Sequence, residues 1–317
     1  MSTSTWYRTF GRRDAHGVSP AYERLALAVA DDDELVGLLD GLPEPKRQPN
    51  LLFAATRYLG GPVEDPDACR DWMVRHWSRV SAVMTQRRTQ TNEPARCATL
   101  LPVLARLPEP LALLEVGASA GLCLYPDAYR YRYGDHLVGP PDSPVLFDCA
   151  VNGAVPLPDR VPTVVWRAGL DLHPLDVAND DDLRWLDALI WPGQHRRRAL
   201  LRAAADLVRA DPPRLVCGDL LADLPALAAQ APPEATLVIF HSAVLMYVSS
   251  QVRAAFAALV GDLSAHWVCN EGVAVMPEIA RAVAASPFSP GAFLLAVDGQ
   301  PVAFTAPHGQ ALQWFGR

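Results

Sequence analysis

From Leu111 onward the sequence alternates short apolar runs with longer amphipathic stretches, and that alternation limits the fold more than any other property of the chain. The runs are residues 111–116 (LALLEV), 163–166 (TVVW), 214–217 (RLVC), 236–240 (TLVIF), 266–269 (HWVC) and 293–297 (FLLAV). They lack the polar alternation of a strand wetted on one side, and so read as strands buried on both faces of a parallel sheet. Between two of them, residues 195–210 place Ala199, Leu200, Ala203, Ala204, Leu207 and Val208 on one helical face. Strands alternating with helices predict an α/β fold with a doubly wound sheet. Asp298-Gly299 is a turn signal before residues 301–305, so the chain is expected to end in a β-hairpin.

No such run precedes Leu111. Residues 21–30 follow a Ser19-Pro20 start, residues 31–39 stop at Gly41 and Pro43, and residues 50–58, 67–86 and 97–107 also read as helices. The expected division is an N-terminal helical cap or substrate region over 1–108 and a sheet domain over 109–317. An insertion at about 135–162 is rich in Pro, Gly and Asp, holds a strand-like piece at 145–150, and is expected to be a hairpin or lid.

The charge of -7 argues against a general nucleic-acid binder, which needs an excess of Lys and Arg to neutralise phosphates. No apolar stretch approaches the roughly 18 residues that would span a bilayer, and residues 1–13 lack a signal-peptide core. The six cysteines are widely spaced, with no CxxC pair, so neither a zinc site nor a redox motif is expected. Reduced thiols and a cytoplasmic location follow as expectations, with no metal and no membrane partner. Oligomeric state is not legible.

The most specific local feature is Glu115-Val116-Gly117-Ala118-Ser119-Ala120-Gly121, directly after the first strand. Gly117 and Gly121 allow a tight turn and close approach of backbone to a ligand. A short helix is expected behind the loop, its N-terminus favouring an anionic group. An acid two residues before the first glycine is unhelpful to a phosphate. It suits a ligand with a positive amino group, such as the methionine part of S-adenosylmethionine. The same residues also spell G-x-S-x-G, the nucleophile elbow of serine hydrolases, with Ser119 as nucleophile and His241 or His308 as base. Against that stand the helices where a hydrolase would have strands, and the missing HGGG-type segment. The plainest alternative is a turn whose small residues serve packing alone.

Ligands of doubly wound sheets bind at the carboxyl ends of strands. Asp171, after 163–166, could accept both hydroxyls of a ribose, although it lies about fifty residues beyond Gly121 rather than the roughly twenty of the usual fingerprint. Asp135 is nearer that distance but follows a poor strand, 129–133. Asp219, after 214–217, could accept an adenine amine or cap a helix. His241 and Tyr247, after 236–240, are candidates for catalysis, His241 as a general base. Asn270 and Glu271 are further candidates for acceptor contacts. The polar segment 87–93 reads either as a solvated loop in which Thr91 or Asn92 caps the next helix, or as a segment folded over a cofactor through Asn92.

Taken together, Gln90-Thr91-Asn92-Glu93, Leu114 to Leu122, Gly169-Leu170-Asp171 with Pro174-Leu175-Asp176-Val177, Gly218-Asp219 and Phe240 to Leu245 resemble the actinobacterial DUF2332 family over nearly the whole chain. The resemblance implies a Rossmann-like doubly wound sheet of the class I methyltransferase kind, with an N-terminal helical extension. By analogy Glu115, Gly117 and Gly121 would hold the methionine end of S-adenosylmethionine, Asp171 the ribose and Asp219 the adenine, with Ala118 and Ser119 as further cofactor-binding residues. The expected activity is methyl transfer to a small-molecule acceptor. Two alternatives stay open: binding of S-adenosylmethionine or S-adenosylhomocysteine without catalysis, and serine hydrolysis through Ser119.

Overall fold

A computed structural model describes residues 1–90, 92–281, 283 and 292–316. Its strands are β1 (Leu111–Val116), β2 (Arg130–Tyr133), β3 (His136–Val138), β4 (Leu146–Asp148), β5 (Ala150–Asn152), β6 (Val164–Asp171), β7 (Arg214–Cys217), β8 (Thr236–Ser242), β9 (His266–Gly272), β10 (Phe293–Val297), β11 (Gln300–Thr305) and β12 (Ala311–Trp314). Nine of them form one sheet in the order β5-β12-β11-β10-β9-β8-β1-β6-β7. β7, β6, β1, β8 and β9 run parallel, and β10 to β12 continue as an antiparallel meander. The protein is therefore α/β with a large, mostly parallel central sheet. Its parallel part runs third, second, first, fourth, fifth in chain order, so the direction of strand addition reverses between β1 and β8.

All of β1 is buried. Leu114 and Val116 face a core shared with Leu170, Ile239 and Cys269 and with the helices Leu224–Ala228 and Ser250–Asp262. Side chains alternate along a strand, so Leu113 and Glu115 face the other side of the sheet.

Several elements extend past the apolar runs that announce them. β6 continues through Gly169, Leu170 and Asp171 because β1 and β7 pair with it on both sides. β8 and β9 continue through His241-Ser242 and Asn270-Glu271-Gly272. Their polar side chains are satisfied internally: Asn270 Nδ2 donates to Ser242 Oγ (2.9 Å) and Thr305 Oγ1 donates to Asn270 Oδ1 (2.7 Å). The expected C-terminal hairpin is a three-stranded meander, since β12 adds to β11. The insertion is a hairpin only at its start, where β3 pairs antiparallel with β2 across Gly134 and Asp135. β4 pairs parallel with β2 in a small sheet ordered β3-β2-β4, and β5 pairs parallel with β12 at the edge of the large one. The change of sheet takes one residue: Cys149 N–H donates to Arg132 O (2.9 Å) and Ala150 N–H to Gln310 O (2.8 Å).

The chain divides into two compact units, Met1–Thr91 with Ala178–Arg202, and Asn92–Val177 with Ala203–Arg317. The first is helical among its described residues, as the absence of apolar runs there predicts. It includes a helix unannounced by the sequence, Thr3–Thr9 continued by a π-helical stretch Phe10–Ala15. Ser2 caps it, and Tyr7 and Phe10 pack against Phe53. The single helix expected over 67–86 is two, Pro66–Arg75 and Trp77–Gln86, broken where the His76 ring stacks on Trp72 and its Nδ1 meets Trp72 O at 2.8 Å. Among the described residues no helix is long and apolar enough to cross a membrane.

Glu109 joins the entry of β1 to that of β6. Its carboxylate takes Arg160 at 2.8 and 3.0 Å and the Thr163 N–H at 2.9 Å. The Arg160 hydrogen bond first, then the Thr163 amide, hold its pKa down at about 2, against an ordinary 4.5. A depressed carboxyl stabilises the fold above its unfolded value and loses that contribution as pH falls through its folded value. Wild type is therefore expected to be more stable than Glu109→Gln above pH 4.5, with the gap closing toward pH 2. Denaturant midpoints measured across that range check it, and a gap that stays constant down to pH 2 would refute the linkage.

Candidate ligand site at the carboxyl ends of the central strands

The residues after β1 turn sharply. Gly117, Ser119 and Gly121 all lie in the left-handed region, with φ of 73°, 51° and 72°. That conformation is costly for serine, by about 1–3 kcal/mol, and persists only where surroundings impose it. The impositions are explicit. Gly117 and Ala118 N–H donate to Leu170 O at 2.7 and 3.3 Å. Ser119 N–H donates to Asp171 Oδ2 (2.8 Å), while Asp171 Oδ1 accepts from His173 N–H (2.8 Å). Asn92 braces the loop from the other side: its Nδ2 donates to Ala118 O (3.2 Å) and its Oδ1 accepts from Leu122 N–H (2.9 Å).

Five of these amides are thus bonded to protein acceptors, counting Gly121 N–H to Ala118 O (2.7 Å) within the loop. The short helix expected behind the loop is absent. A single 3₁₀ turn, Leu122–Leu124, follows Gly121. It carries Cys123, whose Sγ donates to Glu93 O (3.3 Å). One turn supplies neither the free N–H cluster nor the aligned dipole of an α-helix N-terminus. Small residues are required for packing as well as for the turn: a Cβ on Gly117 would strike the Val244 side chain, and one on Gly169 would lie 2.5 Å from the Ala118 Cβ.

Among the described residues of this region, Glu115 Oε2 and Ser119 Oγ are buried without a partner. Burial, followed by the nearby Cys123, pushes the Glu115 carboxyl well above its ordinary range; Arg96 acts in the opposite direction. Arg96 is itself buried, with Nη1 donating to Ser242 O (3.0 Å) and Nε to Pro307 O (2.9 Å). Nothing in the residue pattern marks it, because Arg96 sits in a 3₁₀ turn, Pro94–Arg96.

The structure thus brings Asn92, Glu115, Gly117, Ala118, Ser119, Gly121 and Asp171 into one cluster. Asn92 does not cap the following helix; the cap of the turn before it is Glu93, which accepts from Ala95 N–H (3.3 Å). Thr91 lies outside the described residues. Asp219 is exposed and accepts Leu221 and Ala222 N–H at 2.8 and 3.1 Å, as a turn cap does. It is joined to the cluster through backbone, since Gly218 N–H donates to Asp171 O (3.0 Å). Asp135 sits in the turn between β2 and β3 of the small sheet, not at a carboxyl end of the large one.

His241 is fully buried, and both ring nitrogens are occupied. Trp267 Nε1 can only donate, so at 3.0 Å it makes His241 Nε2 an acceptor and leaves the proton on Nδ1, which meets Glu271 Oε1 at 2.7 Å. In this arrangement His241 offers no lone pair to an acceptor molecule, and it makes no bond to Ser119. Tyr247, by contrast, is exposed on the 3₁₀ turn Leu245–Tyr247.

The family model described as an uncharacterized protein conserved in bacteria (DUF2332) matches residues 4–314, so the chain belongs to that family. No curated protein matches the chain, and no solved structure does.

Two substitutions test the cluster. Asn92→Ala leaves the Leu122 amide and the Ala118 carbonyl short of a partner, and is expected to destabilise the fold by about 1–3 kcal/mol in denaturant melts. Glu115→Gln should behave in the opposite sense. A carboxyl raised by burial costs stability as pH rises above its unfolded value of 4.5. The variant is expected to match wild type below pH 4.5 and to be at least as stable at pH 7, whereas a marked loss at pH 7 would mean that the charged carboxylate has a protein partner.

Proposed function

We propose that this member of the DUF2332 family is an S-adenosylmethionine-dependent methyltransferase acting on a small-molecule acceptor, on a Rossmann-like sheet. One observation carries the reading: a left-handed glycine loop ends β1 at the point where the strand order reverses, beside Asp171 at the end of β6. Open α/β sheets bind ligands at that crevice.

The choice among nucleotide-like ligands rests on the loop amides. A dinucleotide pyrophosphate needs free N–H groups and a helix N-terminus. Here five amides are taken by protein acceptors and no α-helix follows. An adenosyl ligand with an amino-acid tail makes no such demand. Its ammonium would meet Glu115, whose spare oxygen is buried, and its tail could reach Ser119 Oγ. Arrival of a cation would also restore the charged form of Glu115 that burial disfavours. Asp171, already fixed by two backbone amides, would take the ribose, and Asp219 the adenine amine.

When bound, that cofactor supplies a methyl group already activated on a sulfonium sulfur. The chain's residues then need only position the acceptor and exclude water. No base is required of His241, whose bonds fit a supporting role. The hydrolase alternative has less behind it, since Ser119 Oγ has no hydrogen-bond partner and so no histidine to activate it.

Calorimetry tests the proposal. S-adenosylmethionine is expected to give a saturable heat, NAD none, and Glu115→Gln a Kd weaker by about tenfold or more. Formation of S-adenosylhomocysteine from a metabolite extract separates an enzyme from a binding protein. Absence of a saturable heat with S-adenosylmethionine, or covalent labelling of Ser119 by a fluorophosphonate, would overturn the reading.

A further inference from the structure

At the ends of β8 and β9 two side chains sew the following loops together. Glu271 Oε1 accepts from Val244 N–H (2.8 Å), Leu245 N–H (3.0 Å) and His241 Nδ1 (2.7 Å). Arg253 donates from Nη1 to Val275 O (2.6 Å) and from Nε to Val248 O (3.3 Å). With the His241 ring held in turn by Trp267, the Glu271 carboxylate is fixed in place. Its second oxygen, Oε2, is buried in a residue only 1% exposed and has no partner among the described residues. An orphaned buried carboxylate oxygen is rare and costly enough to need an explanation. The same two loops expose apolar side chains: Met246 and Tyr247 after β8, and Val273 after β9.

A fixed carboxylate oxygen next to loops that expose apolar side chains has the make-up of a small-molecule subsite, mostly apolar with a few placed polar groups. The charge identifies the donor. Glu271 is joined to a histidine that carries one proton and to backbone amides, while Arg253 and Arg96 are committed to carbonyls, so among the described residues no Arg or Lys forms an ion pair with it. We propose that the β8–β9 end binds a small molecule with an aromatic or aliphatic body and a protonated amine, the amine donating to Glu271 Oε2 and the body lying on Met246, Tyr247 and Val273. The Tyr247 ring adds attraction for the cation. Only the designation of this ligand as methyl acceptor rests on the methyltransferase reading; the binding does not.

Phenethylamine and 2-phenylethanol share a body and differ in the charged donor, so the full chain is titrated with each, without S-adenosylmethionine. Saturable binding of the amine is expected, about tenfold or more tighter than the alcohol. Glu271→Gln keeps an oxygen for the three donors and should weaken the amine by about tenfold. Tyr247→Ala changes an exposed residue, and should weaken both ligands without moving the melting temperature; it decides the matter if the glutamine variant does not fold. No saturable binding of the amine, equal binding of amine and alcohol, or amine binding indifferent to both variants would overturn the proposal, the last two leaving Oε2 to a trapped water. Calorimetry with S-adenosylmethionine on the same preparations reports on the β1 loop alone. Failure there with amine binding intact sinks the methyltransferase reading only, and the reverse sinks only this one.

Discussion

Asp171 and Asn92 hold the turn after β1 in a shape it would not adopt unaided. Three of its residues are left-handed, and one is a serine. The two side chains pin it from opposite directions, Asp171 through the Ser119 amide and Asn92 through Ala118 and Leu122. Everything nearby is arranged around that turn. Gly169 lacks a side chain where Ala118 presses against β6, and Gly117 lacks one where Val244 closes down from the loop after β8. Val244 is in turn tethered by Glu271 on β9. The carboxyl ends of four neighbouring strands, β6, β1, β8 and β9, are therefore one connected surface, which explains how the fold keeps a strained loop.

The central sheet was legible because its strands are buried on both faces, and continuous aliphatic runs are the signature of that environment. β1, β7 and β10 begin and end where their runs do. The signal failed where polar residues continue a strand. Arg167 and Gly169 interrupt β6, and His241, Asn270 and Glu271 extend β8 and β9 only because cross-strand partners satisfy them. Periodicity cannot register a hydrogen bond to a residue thirty positions away. β12 and β5 were hidden for a related reason: each is short, and β5 is held only through its pairing with β12, far away in sequence.

The candidate site was legible in its residue types more than in its roles. The glycine loop and Asp171 were found together in the sequence, despite about fifty intervening residues, and the fold puts them in contact. The excess spacing is the chain that builds β2 to β5, which leaves and returns between β1 and β6. The helix behind the loop was expected from the general pattern of glycine loops, and nothing local contradicted it. What replaced it is decided by Cys123 and Asn92, which tie residues 122–123 to the segment at 92–93 and so leave them no freedom to start an α-helix. His241 looked like a base because a histidine at a strand end has an ordinary pKa suited to the task. Its neighbours Trp267 and Glu271, invisible as partners in the sequence, give both nitrogens other work.

Glu115 and Glu271 face opposite sides of the sheet, Glu115 away from the core that Leu114 and Val116 enter, Glu271 on the side of Cys269. Each nevertheless ends with one buried oxygen that has no partner among the described residues. The two differ in what holds the rest of the carboxyl. Glu271 has three N–H donors on its other oxygen, an environment made for the anion. Glu115 has burial and a thiol beside it, with Arg96 as its counterweight, an environment that favours the neutral acid. A ligand cation would therefore meet a carboxyl already held by three donors at Glu271, whereas at Glu115 it would meet one whose charged form burial disfavours. On the adenosyl reading that distinction has a use. Binding of the ammonium at the β1 loop would draw the proton from a carboxyl that burial has raised, and so would be coupled to proton release.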